Sequence, residues 1–559
     1  MAQLRPRAPS AARAPFLHAV PAPDRAPGRT QALSTRAYAL LAGVAVFAAF
    51  MVRAGFVFDS SFPLNDGGLF YVMAQEIEDA HFALPHVTAY NHAGIPFVYP
   101  PLAMYIAATL DRATPLSLID VFRLMPLVVS TASVGAFLLL ARRFFARREA
   151  VVVAAFLFGM IPPTFDWMIM GGGLTRSLGF AFALLALHEA HAAYTERAWR
   201  RGVTFGVLAG LTVLSHLEMA TFTAFTTGLF FLFHGRHRAG VIASGVGGVI
   251  AAAVSAPWWA TIIARHGLDP LLAARASGGE SPGTPAYALL NFNATGETLF
   301  PAVAVLALLG IVACLLRREY LLPAWFIAAI FLDPRAARTS SAAALALLAT
   351  VGIFAIVVPL LNSPAAVQLE DAGYAVTARG LRPSPRWLAA AAVIGIVGYT
   401  TISAMVSQGR LLSGMTPDER AAMAWVAQHT PADARFAVVT DDGWARDRTS
   451  EWFPALTGRQ SVATVQGLEW MPGAYRTART RYLALQECSR AAASCLGEWS
   501  ATNGVPFDYV YIPAIPPRIK QTEDDPCCVA LRMALASDGG YERVYDGPGA
   551  VVYHRKGAP

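Results

Sequence analysis

Two short segments hold the residues best suited to chemistry. The first reads Ser61-Phe62-Pro63-Leu64-Asn65-Asp66-Gly67-Gly68-Leu69-Phe70-Tyr71, and sets one carboxylate before an amphipathic stretch with two glycines leaving room for a ligand. A carboxylate at a membrane lip serves as a base or a cation ligand. An Asp before a helix start also serves as an N-cap, so Asp66 carries both readings. The second segment runs Phe165-Asp166-Trp167-Met168-Ile169-Met170-Gly171-Gly172-Gly173-Leu174-Thr175-Arg176. Its three glycines either let backbone approach a phosphate closely or form a flexible turn at a helix end. His216 and Glu218 stand two apart. On a helix they diverge by about 200°, whereas in an extended turn they converge. Trp258-Trp259 suits either sugar stacking or anchorage at a membrane interface.

The elements that position these residues are membrane spans. Of the 559 residues 55% are hydrophobic and 14% charged, against roughly 25% charged in a soluble domain, which excludes a plain cytosolic enzyme. The first 405 residues carry 28 Lys/Arg and 20 Asp/Glu; the last 154 carry 16 and 17, the balance of a water-soluble domain. The net charge of +7 does not indicate a nucleic-acid partner, because the basic residues sit in short loops between apolar runs.

Eleven apolar runs read as spans: Ala37–Phe58, Asp120–Ala141, Ala150–Pro163, Ser177–Tyr194, Gly202–Leu214, Thr221–Phe233, Gly240–Trp258, Leu299–Leu316, Tyr320–Leu332, Ser341–Leu361 and Trp387–Val406. Pro101–Leu110 reaches only about 15 Å as a helix and is expected to lie on the outer surface. This arrangement gathers 20 basic residues, including those of the Arg-rich tail, into inner loops, as the positive-inside rule requires. The expected fold is a polytopic α-helical membrane protein of about eleven spans with a C-terminal extracytoplasmic α/β domain. Its parts are a basic cytoplasmic tail (1–36), a transmembrane domain (37–405) whose outer loop covers 59–118, and the outer domain (406–559). The N-terminus lies in the cytoplasm and the chain in the plasma membrane, in contact with its lipids.

The C-terminal region is expected to hold a helix at Pro417–His429, strands at Arg435–Thr440 and Phe507–Ile512, and a closing hairpin over Tyr541–Tyr553. Asp441 to Trp444, Glu451 to Pro454 and Gln466 to Trp470 mix carboxylates with aromatic rings, as a glycan-binding surface or a Trp-filled core would. Cys488 and Cys495 stand about 10 Å apart if their segment is helical, so each is expected to pair with Cys527 or Cys528.

Asp66 followed by Phe70-Tyr71, then Tyr99-Pro100-Pro101-Leu102, then Arg123-Leu124-Met125-Pro126 opening a span that ends Ala141-Arg142-Arg143-Phe144-Phe145, resembles the GT-C glycosyltransferases. The likeness is to the protein O-mannosyltransferase and lipid A aminoarabinose transferase branch. It continues through Gly206–Glu218 and Ala256-Pro257-Trp258, over about the first 265 residues. Gly67 stands where that branch usually has a second acidic residue, Tyr99 replaces a lysine, and Ser215-His216-Leu217-Glu218 replaces a Lys-Gly-Pro. These departures mark a divergent subfamily.

The resemblance implies transfer of a sugar from a polyprenyl-phosphate donor to a glycan, lipid or protein acceptor on the outer face. Asp66 would be the general base and Asp166 the second catalytic carboxylate. Arg176, Arg335 and Arg338, at the outer ends of spans, would hold the departing phosphate, for which the guanidinium fork is suited. Tyr71, Tyr99, His216, Glu218 and Trp258 complete the expected substrate-binding set. No cofactor is assigned. A divalent metal on Asp66, Asp166, His216 and Glu218 is the alternative, although no spacing signature marks it. The competing functions are a secondary transporter or lipid flippase, which would show repeated halves and midplane charges, and a metal-dependent oligosaccharyltransferase-like enzyme.

Overall fold

The computed structural model describes residues 33–277, 293–332, 336–361, 385–406, 411–514 and 527–557. Every apolar run expected to span is helical, but their lengths divide them. Among the described residues five helices are long and apolar enough to cross a membrane: Thr35–Phe58 (α1), Leu118–Ala141, Arg238–His266, Ala337–Leu361 and Trp387–Val406. A sixth is the pair Arg148–Met160 and Pro162–Met168, bent by 86°. Arg201–Ser215, Ala302–Leu316 and Leu321–Phe331 are shorter apolar helices, so the expected count of eleven is not established by length and composition. The helix Leu102–Ala113 has 12 residues, too few to span, and packs its Ala103, Met104, Ala107 and Ala108 side inward.

The 86° bend has a cause in the sequence. Ile161-Pro162-Pro163 supplies two residues without N–H groups, so Phe158 and Gly159 lose their helical donors. Thr164 Oγ1 donates to Phe158 O at 2.8 Å, and Arg53 Nη1 donates to Gly159 O at 2.8 Å. Arg53 is a fully buried arginine inside α1. It also donates to Ser130 Oγ at 2.9 Å and Ala49 O at 3.0 Å, and its guanidinium lies 5.1 Å from the Phe165 ring centre. One arginine thus ties α1, the helix Leu118–Ala141 and the broken span together just before Asp166. Further along, Gly202, Gly206 and Gly210 recur every fourth residue and bring their helix onto Arg238–His266; a Cβ at each would sit 2.6 to 2.7 Å from that neighbour.

β1 (Val87–Thr88) and β2 (Ile95–Pro96) pair antiparallel ahead of the helix Leu102–Ala113, and the C-terminal part contains a five-stranded sheet of β3 to β7 in the order β4-β3-β5-β7-β6. The strands are β3 (Arg435–Val438), β4 (Gln460–Ser461), β5 (Tyr509–Pro513), β6 (Tyr541–Asp546) and β7 (Ala550–Arg555). β3 pairs in parallel with β4 and β5, and the β6–β7 hairpin closes the far edge antiparallel. Alternation along the strands feeds two cores. Ala437, Val510, Ile512 and Val551 meet Tyr482, Leu485 and Leu531 on one face. Phe436, Val438, Tyr511 and Val552 meet Met423, Trp452 and Phe453 on the other, joined by Phe62 from the loop after α1.

The cysteine pairing differs from expectation. Cys488 bonds Cys495 and Cys527 bonds Cys528. The helix Ala474–Glu487 ends before Cys488, and a tight turn at Cys488–Arg490 folds the chain back, leaving the first pair 5.6 Å apart between Cα atoms. The 10 Å expectation assumed a continuous helix.

Candidate active site

Asp66 lies where three parts of the chain meet. Its Oδ1 accepts the Gly172 N–H at 2.9 Å, while the Gly171 N–H donates to Leu64 O at 2.9 Å. The two expected segments therefore lie directly against each other, and their glycines are required by that contact. A Cβ on Gly171 would come 2.2 Å from Asp66 O, and one on Gly172 would come 2.6 Å from Asp66 Oδ2. Gly67 adopts φ +124°, and a Cβ there would meet Gly171 at 2.8 Å. Burial raises the proton affinity of Asp66, opposed by the Gly172 N–H and by the charge of Arg176. Asp66 remains part-exposed.

Arg176, in the first turn of the helix Gly173–Thr195, is within electrostatic reach of both aspartates. Its Nη2 is 3.6 Å from Glu218 Oε2, and its guanidinium lies over the Trp167 ring at 5.6 Å. Asp166 accepts the Trp167 N–H at 2.7 Å and has Arg338 as its first cationic neighbour. The Nε atoms of Arg176 and Arg338 are both buried without a hydrogen-bond partner among the described residues. Arg335 lies outside the described residues.

Tyr99 and His216 line the adjoining wall. The Tyr99 hydroxyl is 3.2 Å from Thr175 Oγ1, and its ring meets His216 at 6.1 Å, Trp470 at 5.5 Å and Phe70 at 4.5 Å. His216 has extended backbone (φ −161°, ψ 123°) between two helices, which turns it to Tyr99 while Glu218 turns to Arg176. Trp258 is 4% exposed and packs with Val98, Ile262 and Trp470, a core placement that leaves no open face for stacking. Tyr71 points towards the C-terminal part, its ring 5.9 Å from Phe122 and 5.6 Å from Trp452.

Sequence reasoning ranked no residue of the C-terminal part beside Asp66, yet one is there. Glu451, on the helix Arg448–Thr457, accepts the Gly67 N–H on its Oε1 at 2.9 Å. Its carboxyl is pushed up to about 8, first by burial and then by the neighbouring Asp66 and Glu469, with the Gly67 N–H and Gln466 opposing. Asp447 caps that helix by accepting the Ser450 N–H at 2.9 Å, and is itself held by Tyr482 Oη at 2.6 Å and Thr440 Oγ1 at 2.7 Å. The only signal in the sequence was the acidic-aromatic composition around Glu451.

The metal alternative does not fit. Among the described residues no group of three or more His, Cys, Asp or Glu side chains is arranged to hold an ion. His216 faces Tyr99 while Glu218 faces Arg176.

No protein-family model matches the chain, and no curated protein matches it in sequence. Solved structures do. The oligosaccharyltransferase AglB of Archaeoglobus fulgidus, solved with an inhibitory peptide and a dolichol-phosphate, aligns at a TM-score of 0.54 and 16% identity over 85% of this chain and 69% of that one. ArnT of Cupriavidus metallidurans, bound to undecaprenyl phosphate, aligns at 0.53 and 14% over 93% of this chain and 98% of that one. The arabinofuranosyltransferase AftD from Mycobacteria aligns at 0.53 and 15% over 94% of this chain and 42% of that one. These structural neighbours are GT-C glycosyltransferases, and the chain shares their fold. At this identity the likeness establishes fold alone. A further AglB structure holds zinc and sulfate, which says nothing of the donor set here.

Proposed function

We propose that the chain is a membrane glycosyltransferase that moves a sugar from a polyprenyl-phosphate donor to an acceptor at the outer face. The observation that carries this reading is Asp66 held by the Gly172 N–H beside Arg176, in a fold shared with glycosyltransferases. Asp66 takes the proton from the acceptor hydroxyl or amide as that atom bonds the anomeric carbon. The bond from that carbon to the carrier phosphate breaks, and its electron pair leaves on the phosphate oxygen. Arg176 and Arg338 stabilise this charge, and their buried, unpartnered Nε donors match such a demand. Arg335 belongs to the same outer segment by sequence and is proposed as a third cation. Tyr99, His216 and Glu218 shape the wall and orient Arg176, and the C-terminal part lies on the outer side.

The test is Asp66→Asn assayed in detergent with a polyprenyl-phosphate sugar. Transfer is expected to fall by about 10²- to 10⁴-fold while donor binding persists. Unchanged transfer refutes the assigned base, and flux of an unmodified lipid or solute across proteoliposomes without covalent transfer refutes the enzyme reading.

A further inference from the structure

Four consecutive residues around Asp66 are tied to the C-terminal part or to the second glycine segment. Leu64 forms a β-bridge with Gly414, and the Asn65 N–H donates to Ser413 O at 3.0 Å. Trp452 Nε1 donates to Asn65 O at 2.9 Å, and the Gly67 N–H donates to Glu451 Oε1 at 2.9 Å. Asn65 (φ +49°) and Gly67 (φ +124°) both have positive φ, so Asp66 sits between two backbone conformations that few side chains adopt. Such geometry persists only where its surroundings over-determine it. Here the surroundings are two adjacent side chains of one helix, themselves immobilised: Trp452 is fully buried and Glu451 is 7% exposed. Tyr90 Oη adds a hydrogen bond to Glu451 O at 2.7 Å, tying the same helix to the outer loop a second time.

We propose that Glu451 and Trp452 are positioning residues for Asp66, so that the C-terminal part clamps the reacting loop into its working geometry. The clamp grips the peptide carbonyl before Asp66 and the peptide N–H after it, while the Gly172 N–H holds the carboxylate itself. It rests on the role of Asp66 given above, but its backbone consequence does not. Glu451→Ala removes the acceptor for the Gly67 N–H. Glu451→Gln keeps an acceptor of the same reach, and Trp452→Phe keeps the ring while deleting the donor to Asn65 O.

The experiment measures kcat and KM for the lipid donor, together with amide hydrogen exchange over residues 62–72, in the full chain in detergent. Glu451→Ala is expected to lower kcat about 100-fold with KM unchanged, as misplacement of a reacting group by about 1 Å does. Glu451→Gln is expected to recover about tenfold of that loss, and Trp452→Phe to lower kcat about tenfold. Exchange at 62–72 rises in Glu451→Ala and in Trp452→Phe, and stays low in Glu451→Gln. A normal kcat in Glu451→Ala, or unaltered exchange in it and in Trp452→Phe, overturns the proposal. If the wild-type chain transfers no sugar, the functional reading fails and the exchange measurement alone decides the clamp. Should Glu451→Ala fail to fold, Trp452→Phe and Glu451→Gln decide it.

Discussion

Gly172→Ala separates the geometry of the carboxylate from the stability of the protein. Gly172 has φ −68° and ψ −17°, a conformation any residue adopts, so alanine there tends to stabilise the chain by about 0.4–1 kcal/mol through its unfolded state. The added Cβ would nevertheless lie 2.6 Å from Asp66 Oδ2, 2.8 Å from its Cγ and 2.9 Å from Oδ1. Ordinary contact begins at 3.4 Å, so the carboxylate must withdraw by about 0.8 Å, which also breaks its 2.9 Å bond from the Gly172 N–H. A displacement of that size costs about 10²-fold in rate, or about 2.7 kcal/mol of barrier. The assay is single-turnover transfer from a radiolabelled carrier-linked sugar, with donor binding measured separately and Gly443→Ala, which meets nothing within 4 Å, as control. Full transfer by a folded Gly172→Ala would refute the assignment of Asp66 as the reacting group.

Two more outcomes follow from buried charges. Arg53→Met leaves Gly159 O and Ser130 Oγ without their donor, and is expected to destabilise the chain by about 2–3 kcal/mol, read as a lower thermal midpoint in detergent; an unchanged midpoint refutes the staple. Glu451 has a folded-state proton affinity raised from 4.5 to about 8, so the folded form binds more protons than the unfolded one between those values. Its contribution to stability is therefore fully present below about pH 4.5 and is lost as pH rises towards about 8. Glu451→Gln should flatten the fall of the thermal midpoint across that window, and identical pH profiles would exclude Glu451 as its source.

The site was half legible in the sequence. Asp66 with Gly67, and Gly171-Gly172-Gly173 with Arg176, stood out as segments, but their glycines were read as room for a ligand or phosphate, whereas the structure uses Gly67, Gly171 and Gly172 to bring the two segments into contact. His216 and Glu218 were correctly left open between helix and turn, since a single extended residue decides it. Glu451 was not ranked because it meets Gly67 across 384 residues, a distance over which no spacing rule operates. The Cys488–Cys495 bond was missed because local pairing depends on where a helix stops, and a residue or two there changes the Cα separation severalfold. Arg53 was not singled out, because the carbonyl it serves is freed only by two prolines a hundred residues later.

The clamp on the loop around Asp66 also fixes an order in time. Gly67 leaves the ribosome 384 residues before Glu451, an interval of about 20 to 80 s at ordinary rates of synthesis. Throughout it the membrane helices can insert, yet the loop lacks the partner that holds its backbone. A chain truncated before Glu451 would therefore be a membrane-inserted protein with a relaxed loop. Placing the clamp late makes completion of the whole chain the condition for assembling the site.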